Sequence, residues 1–263
     1  MRRPSGIALD GATLAALADL LTPYVEQESM RLPETYRWKI PTGAPVAPFN
    51  SSGLSLADAN VQLKRLLSDA WHLSGSDRAA LARWYVGRWG GIYANKDETL
   101  QGYVLLPEDE LEGAALAGVA TWSKILAMRN PARYAIFDAR VSAALNALQI
   151  SGGADPILFP DLLSRNNAVR AFQGWVRIEH RGARRLLKDR AYPDYMVLLR
   201  EVGDRLGHKS PDRAEMVLFA NAESLIQRAM VRASGRPLGR SPEGRAQDGE
   251  GAAMRSTSTA NPL

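Results

Sequence analysis

The 263-residue chain carries 33 Lys and Arg against 28 Asp and Glu, for a formal net charge of +5, and it has three histidines and no cysteine. Disulfides, thiolate zinc sites and iron–sulfur clusters are thereby excluded, and His72, His180 and His208 show no metal-ligand spacing. The length allows a substantial core. With no membrane-length apolar run and no signal-peptide core after Met1-Arg2-Arg3, a cytoplasmic protein without a membrane partner is expected.

Helical periodicity dominates in chain order. Asp10 to about Glu26 reads as a helix with Leu14, Leu17, Leu20 and Leu21 on one face. Residues 31–54, RLPETYRWKIPTGAPVAPFNSSGL, are rich in Pro and Gly and read as a loop or short-strand region. Ser55 opens a helix to about His72, with Leu63, Leu66 and Leu67 inward, and Ser76-Asp77-Arg78 opens another that Gly90-Gly91 stops near Trp89. Pro107-Glu108-Asp109-Glu110 is a helix start, since proline suits the first turn and acids favour the positive end of the helix dipole. That pattern runs to about Met128, with Gly118 as an interruption and a break at Asn130-Pro131.

A helix beginning at Asp138 follows, then a break at Ser151-Gly152-Gly153 and helices near 165–189, 192–206 and 211–233. Strand signals are scarce, so the fold class is all-α or nearly so. From Ser234 to Leu263 the chain has few large apolar residues and many Gly, Ser and Pro, which predicts a disordered tail behind a 1–233 helical domain. The stretch from Arg165 to Arg190 is strongly basic, with only Glu179 and Asp189 opposing. Its two readings are a solvated helix face and a stripe that tracks nucleic-acid phosphates.

Two segments invite joint reading: LEGAALAGVATWSKILAM (111–128) and RYAIFDARVSAAL (133–145). The arrangement W-S-K-I-L…P-x-x-Y-x-I-x-D-x-R-V, together with AEMVLFA at 214–220, resembles the helix-hairpin-helix superfamily of DNA glycosylases, most closely its 8-oxoguanine-glycosylase-like bacterial branch. The similarity spans about residues 55–232. It implies a two-lobed helical fold whose helix-hairpin-helix region covers about 108–149.

It also implies an activity, the removal of a damaged or modified base from double-stranded DNA by a monomer that needs no cofactor and no metal. Asp138 corresponds to the family's aspartate at a helix start, with Ala139 and Arg140 standing where the family has Thr and His. On its own, Asp138 reads first as an N-cap. With the resemblance it becomes the catalytic carboxylate, which stabilises an oxocarbenium-like sugar and activates water.

Ala120 falls where bifunctional relatives carry a lysine nucleophile, so a monofunctional enzyme is expected. Lys124, about one turn further along the helix, is expected to point elsewhere unless a shifted helix brings it in. It is then a candidate for catalysis or for phosphate contact. Leu116 replaces the hairpin's first glycine, while Gly118 and Ala120 are the expected backbone contacts to phosphate. Arg140, Arg181, Arg184 and Arg185 are the expected DNA-binding side chains.

An extruded base needs a stacking surface. The candidates are Trp38 and Tyr36 in the Pro/Gly loop, Trp89, Trp122 and Tyr93, with the 88–98 turn as a wedge or pocket wall. Trp84 and Trp175 are assigned to the core. The target ranges from an 8-oxoguanine-type lesion, in DNA repair, to a hypermodified phage base, in antiviral defence. The alternatives are a non-catalytic all-helical DNA-binding protein, also compatible with phage defence, and a helical interaction protein with no nucleic-acid role.

Overall fold

Short polar side chains set the helix starts. Asp10 accepts from the Thr13 amide at 2.8 Å, Ser55 from Asp58 at 3.1 Å, Asp77 from Ala80 at 2.9 Å and Asn166 from Val169 at 3.1 Å. Each satisfies an amide that the first helical turn leaves unpaired. The computed structural model describes residues 6–233 apart from 47, 48, 74, 154 and 209. The expected disordered tail, 234–263, lies outside the described residues.

The described chain is mostly helical. In order come α1 (Gly11–Met30), α2 (Leu32–Thr35), α3 (Leu56–His72), and α4 (Arg78–Arg83) running into a π-helical turn, Trp84–Trp89. These are followed by α5 (Asp97–Leu105), α6 (Glu108–Glu112), α7 (Val119–Arg129), α8 (Ala139–Gly152), β1 (Ile157–Leu158) and α9 (Asn167–Glu179). The chain continues through β2 (Arg184–Arg185), α10 (Ala191–Arg205) and α11 (Asp212–Ala233). β1 and β2 pair in parallel, and Ile7 bridges to Leu186 beside them.

Four elements depart from the sequence reading. The pattern expected to run from Pro107 to about Met128 stops at Glu112 and resumes at Val119, with a non-helical turn between. α5 falls in a stretch with little periodic signal, because Leu100 is its one buried residue while Leu105 is exposed. The basic segment is not one helix from 165 to 189: α9 stops at Glu179, and the chain turns through His180-Arg181-Gly182 into β2. The loop at 31–54 begins with the short α2, whose proline sits in the first turn where its missing N–H costs nothing.

α8 packs along α11 more extensively than any other two elements meet. Ala143, Ala144 and Ala147 let α8 lie deep, and eleven consecutive α8 positions other than Arg140, counted from Ala139 through Ile150, are buried. The apolar run Tyr134–Phe137 that leads into α8 is pinned from two directions. Tyr192 and Tyr195 of α10 donate to the Ala135 and Ile136 carbonyls at 3.0 Å each, and Ser123 of α7 accepts from the Phe137 amide at 3.1 Å. Buried hydroxyls that reach carbonyls in this way fix one backbone path. That path ends at Asp138. A buried ion pair, Lys64 Nζ to Glu215 Oε2 at 2.9 Å, ties α3 to α11 beneath the same region.

Candidate active site

Asp138 caps α8. Its Oδ1 accepts from the Arg140 amide at 2.9 Å and the Val141 amide at 3.1 Å, whereas Oδ2 makes no hydrogen bond among the described residues. The carboxylate is half-buried and lines a cleft of about 1040 Å³. Its walls come from the turn after Trp89, from the α6–α7 hairpin, from the start of α8, from the loop before α9, and from Phe219 of α11.

The hairpin wall follows from local chemistry. Gly118 sits at φ +74°, a left-handed conformation that glycine adopts freely, and a Cβ there would lie 2.5 Å from the Tyr103 hydroxyl. From there α7 starts, so Gly118 and Ala120 both face the cleft at a helix N-terminus, where backbone dipoles favour anions. Trp122 holds the hairpin from below: its Nε1 lies 3.3 Å from both the Ala115 and the Ala117 carbonyl oxygens. Asn95 joins the facing loop to α7 through Thr121 Oγ1 at 3.0 Å.

Lys124 does not point away. It lines the same cleft as Asp138 although only 5% of it is exposed, and Nζ donates to the Ala120 carbonyl at 3.0 Å. The sequence reading misplaced it because Gly90 leaves room for its stem. A Cβ on Gly90 would come within 2.8–2.9 Å of Lys124 Cε and Cδ. Burial pushes the Lys124 ammonium below the ordinary lysine range, opposed by the nearby carboxylates of Asp138 and Glu215. Glu215 is pushed the other way: burial raises its carboxyl, opposed by Lys64. Lys124 and Asp138, which line the cleft, thus sit within electrostatic reach of the buried Lys64–Glu215 pair, which does not line it.

The aromatic candidates separate into two groups. Trp38 is partly exposed and lines the cleft. Tyr36, Trp89 and Trp122 do not: each is buried in the core, with 2%, 5% and 0% of its surface exposed. The correction has a packing reason. Trp89 stacks on Tyr85 at 4.3 Å and donates to Asn60 Oδ1 at 2.7 Å, so it supports Trp38 from behind, accepting the Trp38 Nε1–H at its carbonyl at 3.0 Å. Tyr36 packs under Phe219. Phe219 itself was not singled out from the sequence, although it lies in the AEMVLFA segment that carried the resemblance. It lines the cleft, meets Trp38 edge-on at 5.4 Å and lies under the Arg140 guanidinium at 5.1 Å.

Of the expected DNA-binding arginines only Arg140 lines the cleft, where it also approaches Glu223 at 3.6 Å. Arg181, Arg184 and Arg185 lie around β2 and do not line it, and Arg184 pairs with Asp155 at 3.6 Å. From the basic segment, the cleft instead takes Arg165 and Lys188. Among the described residues, no group of three or more His, Asp or Glu could hold a metal ion, and no helix is long and apolar enough to cross a membrane. No protein-family model, curated protein or solved structure matches the chain.

Proposed function

We propose that the protein is a DNA glycosylase that hydrolyses the N-glycosidic bond of a damaged or modified base in double-stranded DNA and leaves an abasic site. The observation that carries this reading is the divided use of Asp138, whose Oδ1 caps α8 while Oδ2, unbonded among the described residues, is on the wall of a cleft with ample room for a base. In the proposed step the C1′–N bond breaks and its electron pair leaves with the base. The sugar becomes oxocarbenium-like, and water adds its oxygen to C1′ while its proton passes through the Asp138 carboxylate to the departing base or to solvent. A carboxylate ~4 Å from the developing cation contributes on the order of 4 kcal/mol at an effective dielectric near 20. That is worth about a thousandfold in rate.

Trp38 and Phe219 supply the apolar surface against which an extruded base is held, and Arg140, Arg165 and Lys188 supply cations for the backbone on either side. An 8-oxoguanine-type lesion and a hypermodified cytosine define the two arms of the assay, the first belonging to repair and the second to antiviral defence. Release of free base from duplexes carrying each is expected for the unmodified protein. With Asp138→Asn it is expected to fall by about a thousandfold. Equal rates for the two proteins would remove Asp138 from the mechanism.

A second reading changes the nucleophile, not the class, and rests on the Lys124 amine lining the same cleft with its ammonium disfavoured by burial. In that reading the amine bonds to C1′ as the base departs, and the resulting imine permits strand cleavage. Borohydride then traps a covalent protein–DNA adduct that Lys124→Met abolishes. Base release without any trapped adduct leaves hydrolysis by water.

A further inference from the structure

A closed ring of hydrogen bonds joins three residues behind the cleft wall. Asn60 of α3 is fully buried, and its side-chain amide uses both protons and its oxygen. Nδ2 donates to the Trp38 carbonyl at 3.0 Å and to the Leu56 carbonyl at 2.8 Å, and Oδ1 accepts from Trp89 Nε1 at 2.7 Å. Trp89 closes the ring, because its carbonyl accepts from Trp38 Nε1 at 3.0 Å. Trp38 is therefore held at two points, its main-chain carbonyl and its ring N–H, by two residues that are bonded to each other. Phe219 and Trp89 also pack on the indole at steep angles, with 5.4 and 6.1 Å between ring centres.

Trp38 lies in the irregular stretch after α2, where side chains are ordinarily the more mobile ones. Tyr93, between the cleft-lining Ile92 and Ala94, shows that alternative: it is 70% exposed and makes no hydrogen bond or ring contact among the described residues. An apolar side chain of Asn60's size would fill the same place in the core without the cost of desolvating an amide. What the amide adds is a single geometry, since a buried network with every member satisfied fixes one arrangement. The ring that it fixes is partly exposed in the cleft that holds Asp138.

We propose that Asn60 is a positioning residue, which fixes the Trp38 indole as a rigid wall of the cleft before a base arrives. The inference rests on the glycosylase reading for the base, whereas the rigidity of the ring does not depend on that reading. Asn60 does not line the cleft, so it acts through Trp38 alone. A wall that is already ordered spares an incoming base the entropy of ordering it. The gain falls on the step that places the extruded base beside Asp138, not on the binding of the duplex.

The chain has six tryptophans, and 5-fluorotryptophan labelling gives each a fluorine resonance, that of Trp38 being assigned by its loss in Trp38→Phe. In the free protein Trp38 is expected to give one narrow line. Asn60→Ala is expected to broaden or split it while the lines of Trp71, Trp84, Trp122 and Trp175 stay in place and report an intact fold. Trp89→Phe removes the donor to Asn60 Oδ1 but keeps the carbonyl that holds Trp38, and it is the variant read if Asn60→Ala moves every line. Single-turnover base release from the 8-oxoguanine and hypermodified-cytosine duplexes is expected to fall about two- to tenfold in Asn60→Ala, the range given by ordering one side chain, with duplex affinity unchanged. In a Trp38→Ala background the same substitution is expected to leave release as it is, because no ring remains to be positioned. A merely structural role would lower release alike in both backgrounds. That result, unchanged release in Asn60→Ala, or a Trp38 line that stays narrow in both variants overturns the assignment and leaves the glycosylase reading intact. Absence of base release from the unmodified protein removes the glycosylase reading, and with it the base that the wall would meet.

Discussion

At Asp138 the two carboxylate oxygens face different demands: Oδ1 accepts two amides of the first α8 turn, and Oδ2 lies free beside the cleft. Asparagine caps a helix about as well as aspartate but carries no charge. Asp138→Asn is therefore expected to keep thermal stability near that of the unmodified protein while base release falls. Asp138→Ala is expected to lose base release and also about 1 kcal/mol of stability. Parallel melting curves and release assays separate the two roles, and unchanged base release in the Asn variant would assign Asp138 to the cap alone. Lys124 gives a pH-dependent counterpart. Its ammonium is disfavoured in the folded state, so between the lowered folded pKa and the ordinary value of 10.5 the unfolded chain binds more protons than the native one. Native stability thus rises with pH across that window and is flat below it. Urea midpoints taken at rising alkaline pH are expected to climb relative to Lys124→Met, which has no such group to titrate; parallel curves for the two proteins would contradict the burial of the ammonium.

Between elements, the Lys64–Glu215 pair is the connection with the most at stake, because both side chains are almost wholly out of water. Removing one partner leaves a buried charge uncompensated, so Lys64→Met is expected to cost about 3–5 kcal/mol in urea denaturation. Lys64→Met with Glu215→Leu is expected to recover most of that loss. If the double variant is no better than the single, the pair serves more than mutual neutralisation. The helices that meet here were legible because their signals are local. Asp10, Ser55 and Asp77 mark starts and in the structure cap them, and Gly118 marks the turn into α7. α5 and the early end of α9 were not legible, since one has a single buried side chain and the other ends where β2 pairs with a distant strand. The site divides along the same line. The carboxylate at the mouth of α8 is a local feature, but whether Trp38 or Trp89 reaches the cleft depends on which ring Asn60 and Tyr85 hold inside. That Lys124 shares the cleft with Asp138 depends on Gly90, thirty-four residues away in sequence, leaving its stem room.

Among the described residues nearly all the buried apolar side chains join one connected cluster, so the charges are distributed over its surface and their placement can be tested as a set. A net charge of +5 is too small to bind a polyanion by bulk attraction, so affinity for DNA depends on where the cations stand. Arg165 and Lys188 stand on the cleft rim, whereas Arg181, Arg184 and Arg185 gather around β2, with Arg184 already paired to Asp155. Each phosphate contact that is lost lowers the slope of log affinity against log salt by about 1. Arg165→Gln with Lys188→Gln is expected to lower the slope by about 2 and to weaken binding uniformly across duplex sequences. The triple neutralisation of Arg181, Arg184 and Arg185 is expected to change the slope by less than about 1, because residues off the cleft rim meet few of the phosphates beside an extruded nucleotide. Titrations of a fluorescent duplex over a range of salt concentrations read both. A triple variant whose slope falls by about 3 would put the backbone across β2. The DNA path would then run along the basic segment as the amino-acid order alone suggests, and the cleft would lie to one side of it.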